Sequence, residues 1–251
     1  MQNLELIVLS LRYSSWSMRP WLALTHAGAT FKTRTVELPD LRIQGNSSDA
    51  VLESSAEDTL TERRTLGSVR GLFPVLQCDG IPIHESLAIC EFAADTYPNV
   101  GLWPQNHIDR GLARAISCEM LSGFHALRNE MSCHLFGRVA DFKPSEAARS
   151  EITRVFELWD ECLERSGGPF LFGDFGIADA MYFPVLTRFR TYRVSLPGSL
   201  SGYAKELENQ PAVKSLVAAA ATAPRIAAYD DYLHELGGDP DATLPVSGTK
   251  P

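Results

Sequence analysis

The sequence predicts an α/β half followed by an all-helical half, and three observations carry that prediction. The first hundred residues alternate short apolar runs with one helical stretch and a hairpin signal. A Pro- and Asn-containing connection follows at residues 98–106. Beyond it the periodic stretches have helical spacing, with no convincing strand among them. At 251 residues the chain suits two domains of roughly 100 and 130 residues better than one core. The expected division is residues 1–98, residues 107–236 and a disordered tail over 237–251.

Each element has its own cue. Leu4 to Leu11 is a short apolar run closed by a Ser-rich turn, and it reads as a buried strand. Ser15 to His26 follows as a helix: the Ser14-Ser15-Trp16-Ser17 cluster offers N-caps, Pro20 lies early, and Gly28 stands past the last turn. Phe31 to Leu38 is a second strand, so the chain opens β-α-β, which favours a parallel crossover. Residues 39–70 are polar and read as a long loop with one or two short helices. From Phe73 to Ile83 two apolar runs flank Cys78-Asp79-Gly80, a strong hairpin signal. Glu85 to Tyr97 is an amphipathic helix stopped by Pro98. In the second half Arg110 to Phe136, Ser145 to Arg165, Ile177 to Arg190 and Ala212 to Leu236 have helical periodicity, and the Gly- and Pro-rich residues after 236 read as the tail.

Composition narrows the function. Apolar residues make up 45% and the net charge is −8, an ordinary globular balance that speaks against nucleic acid or an anionic membrane as the main partner. Five cysteines, Cys78, Cys90, Cys118, Cys133 and Cys162, form no CxxC pair and sit mostly in apolar stretches. They read as reduced thiols of a cytoplasmic protein. Neither a signal peptide nor a membrane-spanning run is expected. The six histidines lack ligand spacing with cysteines or carboxylates, so no metal is expected. P-loop, GxGxxG and GxSxG motifs are missing, which removes the nucleotide and serine-hydrolase readings.

Two places could carry chemistry. The order β-α-β, hairpin, helix is the thioredoxin-like plan, and Phe73-Pro74 falls where that plan has its cis-proline loop. A cis bond there would turn the Phe73 backbone towards a site, where an extended peptide could pair with it; taken alone, Pro74 reads equally as a trans proline starting an edge strand. Glu85 and Ser86 open a helix whose free N–H groups attract a carboxylate. A small peptide with free α-amino and α-carboxylate groups suits that corner, the amine on Glu85 and the carboxylate on Ser86. In isolation such a pair more often means a plain cap.

Four segments in order then give a specific resemblance: Ser14-Ser15-Trp16-Ser17-Met18-Arg19-Pro20-Trp21, Phe73-Pro74-Val75-Leu76, Glu85-Ser86-Leu87-Ala88-Ile89 and Gly176-Ile177-Ala178-Asp179-Ala180. Together they resemble the landmarks of the glutathione transferase family over about residues 4 to 235, and the first resembles the serine-type site of the zeta class and its bacterial relatives. The resemblance implies a thioredoxin-like glutathione-binding domain and an all-helical domain shaping a hydrophobic pocket. It implies that Ser14, with Ser15 as the alternative, activates the glutathione thiol. A hydroxyl donating to sulfur favours the thiolate, as does a helix N-terminus; helix capping alone is the other role open to these serines.

By the same resemblance Phe73 and Pro74 meet the cysteinyl part of glutathione, while Glu85 and Ser86 hold the γ-glutamyl end. The family often has Gly-Lys before the residue preceding the cis-proline. Here Gly71-Leu72 stands instead, and Arg70 is the candidate substitute. Tyr13, Met18, Met120, Phe124, Leu127 and Arg128 are the candidates for the second pocket, with Arg128 available to an anionic group. A Met and aromatic stripe at helical spacing is, however, more often core than pocket. Trp16 and Trp21 read as core anchors, and Asp179 as the structural residue of a capping box. The expected activity is attack of the glutathione thiolate on a small apolar electrophile, as conjugation, isomerisation or dehalogenation, in a homodimer. A glutathione-binding carrier or stress-response protein without turnover is the alternative.

Overall fold

The computed structural model describes residues 3–36, 61, 63–68 and 70–245. Four strands form one mixed sheet. β1 (Leu4–Val8) lies in the middle, parallel to β2 (Phe31–Thr35) and antiparallel to β3 (Val75–Cys78), and β4 (Ile81–His84) completes the order β2-β1-β3-β4. The sequence explains this placement. β1 reads LELIV with four of its five residues buried, as a strand covered on both faces requires. The outer strands carry Lys32, Arg34 and Pro82, residues that discourage pairing at an open edge. The hairpin turns through Asp79 and Gly80, whose φ values of 51° and 84° are those of a two-residue primed turn.

Helices α1 (Ser15–His26) and α2 (Ser86–Thr96) belong to this half. A 3-10 turn at Pro98–Val100 leads into a connection that is itself packed: Leu102 and Trp103 are buried, and Trp103 donates from Nε1 to Glu91 at 2.9 Å.

The helical half holds α3 (His107–Ser122), α4 (His125–Glu130), α5 (Glu146–Ser166), α6 (Ile177–Thr191), α7 (Gly198–Asn209), α8 (Pro211–Ala221) and α9 (Ala227–Glu235). Helix α6 is buried on all sides apart from Arg190, and it is the axis of the molecule. Helices α1 and α3 pack against it, and α1 also packs against α2 and α8. Leu22, Leu24, Ile177 and Val185 share one continuous core, so α1 is the seam between the halves. Among the described residues no helix is long and apolar enough to cross a membrane.

Several expectations are corrected. β1 stops at Val8 rather than Leu11. The single helix expected over Arg110–Phe136 is broken at Gly123 and Phe124: Gly123 is extended, a Cβ on it would stand 2.8 Å from the Glu119 carbonyl, and Phe124 has φ 57°. The apolar period runs across that break and hides it. The helix expected over Ala212–Leu236 is two helices, α8 and α9, parted at residues 222–226, a stretch that contains Pro224; proline removes a helical donor and clashes with the preceding turn. Helix α7 was not expected, although Leu200, Tyr203, Ala204 and Leu207 have the i, i+3, i+4, i+7 spacing of a buried face.

The expected disordered tail is corrected for residues 237–245. Arg138 and Asp239 exchange backbone hydrogen bonds at 2.9 and 2.8 Å, and Thr243 N–H donates to the Phe136 carbonyl at 3.0 Å. The predicted loop at 39–70 lies largely outside the described residues.

Candidate glutathione site at the start of helix α1

The turn from β1 into α1 is built on serines. Ser14 is the N-cap of α1. Its Oγ accepts from the Ser17 N–H at 3.3 Å and from the Ser17 hydroxyl at 3.0 Å, and the Ser17 Oγ in turn accepts from the Leu9 N–H at 3.2 Å. A hydroxyl has two acceptor lone pairs and one hydrogen. Both acceptor positions of Ser14 are filled by Ser17, so its remaining capacity is its own hydrogen, held at a helix N-terminus with no acidic residue in the first turn. That is a donor in a positive field, suited to an anion. Ser14 and Ser15 are both 5% exposed.

The second expected corner is equally defined. The Phe73–Pro74 peptide is cis, with Phe73 half-buried beside β3. Glu85 is the N-cap of α2 in an unusual conformation, φ 75° and ψ 128°, and makes no side-chain cap bond. A non-glycine residue held at positive φ carries backbone strain of the kind found where a side chain must be presented to a ligand. Its carboxylate side is exposed, whereas Ser86 is fully buried and its Oγ has no hydrogen-bond partner among the described residues. An unsatisfied buried hydroxyl at a helix N-terminus is costly in isolation, and it suits an arriving carboxylate. Arg70 is exposed in the turn four residues before Pro74.

The expected second pocket is different. Tyr13, Met18, Met120, Phe124, Leu127 and Arg128 are all buried, none more than 6% exposed. Met18, Met120, Phe124 and Leu127 belong to the core cluster, and Met18 meets the Cys133 thiol at 4.0 Å. Tyr13 donates its hydroxyl to Asp230 at 2.9 Å, and burial raises its pKa well above the ordinary value. The apolar stripe at helical spacing is core. Trp16, expected as a core anchor, is only partly buried and lies between two guanidiniums, Arg19 at 4.6 Å and Arg128 at 5.1 Å from its ring centre. Trp21 is a core anchor and donates to Thr33 at 3.1 Å.

Arg19 is the residue that sequence reading missed. It is fully buried on α1, and its Nε and Nη1 have no hydrogen-bond partner among the described residues. Burial, reinforced by the positive charges of Arg128 and Arg188, lowers its pKa to about 9. In a chain of net charge −8 a buried cation one helical turn beyond Ser15 raises the potential at that end of α1. Its signal in the sequence was the four-residue spacing from Ser15, which puts both on one helix face.

The capping box is present in altered form. Asp179 accepts from the Gly176 N–H at 2.9 Å and from the Leu171 N–H at 3.1 Å, and burial raises its carboxyl to about 7. A Cβ at Gly176 would stand 2.7 Å from the Leu102 carbonyl, which accounts for glycine where Ser or Thr is usual. Burial pushes the Cys90 and Cys162 thiols up to about 12 and raises Cys133 as well, which disfavours their thiolates, whereas Cys118 is exposed. Among the described residues no His, Cys, Asp and Glu group could hold a metal ion.

Comparison with known proteins identifies the family. Residues 13–96 match the family described as "Glutathione S-transferase, N-terminal domain" and residues 143–229 match "Glutathione S-transferase, C-terminal domain". A "Probable maleylacetoacetate isomerase" of Caenorhabditis elegans is 27% identical over 197 residues, 78% of this chain and 84% of the relative. The "Maleylacetoacetate isomerase" of Mus musculus is 27% identical over 197 residues, 78% and 83% of the two chains. Among solved structures, a glutathione transferase homolog from Burkholderia with bound glutathione superposes with a TM-score of 0.62 at 21% identity, over 87% of this chain and 97% of that one. The Tau class glutathione S-transferase of mango gives 0.62 at 19% identity, over 93% and 98%. With a thioredoxin-like sheet, an all-helical second half and both domain signatures in order, the chain belongs to the glutathione S-transferase family.

Proposed function

We propose that the protein binds glutathione across the N-termini of α1 and α2 and uses Ser14 to hold its sulfur as thiolate. The observation that carries the reading is the state of the Ser14 hydroxyl, whose two acceptor positions are filled by Ser17 and whose hydrogen is left to donate. Donation to sulfur stabilises the charged form and lowers the thiol pKa, and the α1 dipole and the Arg19 charge act in the same direction. The unpartnered Ser86 Oγ and the exposed Glu85 carboxylate suit the α-carboxylate and α-ammonium of a γ-glutamyl group. Arg70, exposed in the turn before the cis-proline, is the candidate for a cationic contact to the glycyl end. Ser15 is the alternative donor.

The co-substrate reading is a small electrophile meeting the sulfur beside Trp16. Relatives named as maleylacetoacetate isomerases favour isomerisation of a conjugated double bond, and the guanidiniums of Arg19 and Arg128 flanking Trp16 favour an acidic substrate. In that reaction the thiolate adds to one alkene carbon and the π pair moves onto the conjugated carbonyl oxygen. Rotation follows about the carbon–carbon bond, now single. The pair then returns, the carbon–sulfur bond breaks and the thiolate is released, so that no proton or electron is consumed. Exposed Leu72, Ile81, Ile108 and Leu112 support the accompanying proposal of a homodimer.

The test is calorimetric titration of glutathione into wild type and Ser86→Ala. Micromolar to millimolar binding that weakens in the variant, roughly tenfold for one lost charged hydrogen bond of about 1.5 kcal/mol, supports the site. Binding equal in both proteins removes Ser86 from it. No binding to wild type contradicts the reading.

A further inference from the structure

The loop that carries Ser14 is held largely by the other half of the molecule. Tyr13 donates its hydroxyl to Asp230 Oδ1 at 2.9 Å, stacks on Tyr229 with ring centres 5.0 Å apart, and meets His134 edge-on at 4.8 Å. The Arg12 carbonyl accepts from the Leu135 N–H at 3.1 Å. The Arg12 guanidinium donates to the Pro240 carbonyl at 3.2 Å, pairs with Asp241, and lies over the Phe136 ring at 5.2 Å. Every one of these partners lies between residues 134 and 241.

Asp230 is the junction. Besides Tyr13, its Oδ1 lies 2.9 Å from His134 Nε2, while His134 Nδ1 accepts from the Gly137 N–H at 3.0 Å. That second bond fixes the tautomer, so Nε2 carries the hydrogen and donates to Asp230. The Asp230 Oδ2 takes Arg225 through Nε at 2.9 Å and Nη2 at 2.8 Å, and Arg225 Nη1 continues to Asp241 at 2.5 Å. Two arginines and two aspartates balance around a neutral histidine. Burial alone would raise the Asp230 carboxyl; the hydrogen bonds from His134, Arg225 and Tyr13 outweigh it and hold the group at about 2. Both oxygens of Asp230 are paired, and buried hydrogen bonds of this kind make for a rigid junction.

From this arrangement we propose that Asp230 is a positioning residue for Ser14, acting through Tyr13, and that residues 225–241 thereby set the ionisation of the thiol bound at α1. The proposal rests on the reading of Ser14 given above. It separates two properties that simple loosening would join. Glu85, Ser86 and Phe73 are held by β3, β4 and α2, and none of the contacts named here involves them, so glutathione affinity is independent of the network. Only the placement of the Ser14 hydroxyl against sulfur depends on it.

Tyr13→Phe is the informative variant, since it deletes one hydrogen bond and keeps the stacked ring, with Asp230→Asn as the stronger companion. The glutathione dissociation constant is measured by calorimetry, the pKa of the bound thiol by ultraviolet absorbance against pH, and the protection of residues 12–18 by amide hydrogen exchange. In Tyr13→Phe the dissociation constant stays within about twofold. The ionisation constant of the bound thiol falls by about three- to tenfold, a rise of half to one pKa unit, and amides 14–18 exchange faster. Unchanged thiol ionisation and unchanged protection overturn the proposal. So does a loss of affinity in step with the change in thiol pKa, which marks general loosening. Ser14→Ala separates the two claims: if it leaves the bound thiol pKa as in wild type, the reading of Ser14 falls and the positioning role falls with it. If Ser14→Ala raises the pKa while Tyr13→Phe is silent, only the positioning role falls.

Discussion

Ser17 Oγ donates to Ser14 Oγ at 3.0 Å while accepting from the Leu9 N–H at 3.2 Å, so one hydroxyl joins the end of β1 to the cap of α1. The pair is a short relay that fixes which way the remaining Ser14 hydrogen can point. Ser17→Ala removes both bonds and leaves the Leu9 amide unpaired. The expected loss is about 1–3 kcal/mol of stability, read by urea denaturation, together with a higher pKa of bound glutathione. Stability within about 0.5 kcal/mol of wild type would show the relay to be unimportant.

Arg19 is expected to trade stability for activity. A buried guanidinium with two unpaired nitrogens carries a desolvation cost that an apolar side chain of similar length does not. Arg19→Met should therefore match or exceed wild-type stability, by up to about 1–4 kcal/mol, while the thiol-dependent activity falls. A clear loss of stability on denaturation would contradict the unpaired state.

Gly176→Ala tests the junction between the connection and α6. The added methyl would stand 2.7 Å from the Leu102 carbonyl, and backbone cannot yield as a flexible side chain does. The expected cost is about 1–3 kcal/mol, visible as a lowered thermal midpoint, with the Asp179 hydrogen bonds unaffected in type. A neutral outcome would mean that the 98–106 connection is loosely held.

Acid should release residues 225–241 before the rest of the chain. Burial, the larger influence, lowers the pKa of His134 against the opposing pull of Asp230, so the unfolded state binds the histidine proton first. Stability is then lost as pH falls from about 6.5, the ordinary histidine value. Asp230, at about 2 when folded, adds a second loss as pH falls from about 3.9 towards 2. Both signs agree. Hydrogen exchange at pH 5 against pH 7 should show residues 225–241 losing protection earlier than β1, and His134→Gln should flatten the first phase.

The parts of the site that are legible in the sequence are those whose function is local. Ser14 precedes a helix it caps, Phe73-Pro74 precedes a strand, and Glu85-Ser86 open a helix, so short segments sufficed. The hydroxyl partner of Tyr13, Asp230, is 217 positions away, a separation at which no local pattern reveals the pairing. Arg12 and Asp241 are tied in the same way, which is why residues 237–245 read as a tail by composition yet pack against Phe136 and Arg138. The apolar rhythm continues through the break at Gly123 and conceals it, whereas the four buried positions of α7 have a regular spacing that marks a helix.

Ultraviolet titration of glutathione bound to wild type and to Ser14→Ala tests the central claim most directly. Free thiols of this type ionise near 8.5. The account predicts a bound thiol at least about one unit lower in wild type and a return towards the free value in Ser14→Ala, with binding retained. A bound thiol that ionises like free glutathione, or one that stays low in Ser14→Ala, would contradict it; in the latter case the same titration of Ser15→Ala shows whether the neighbouring hydroxyl holds the role.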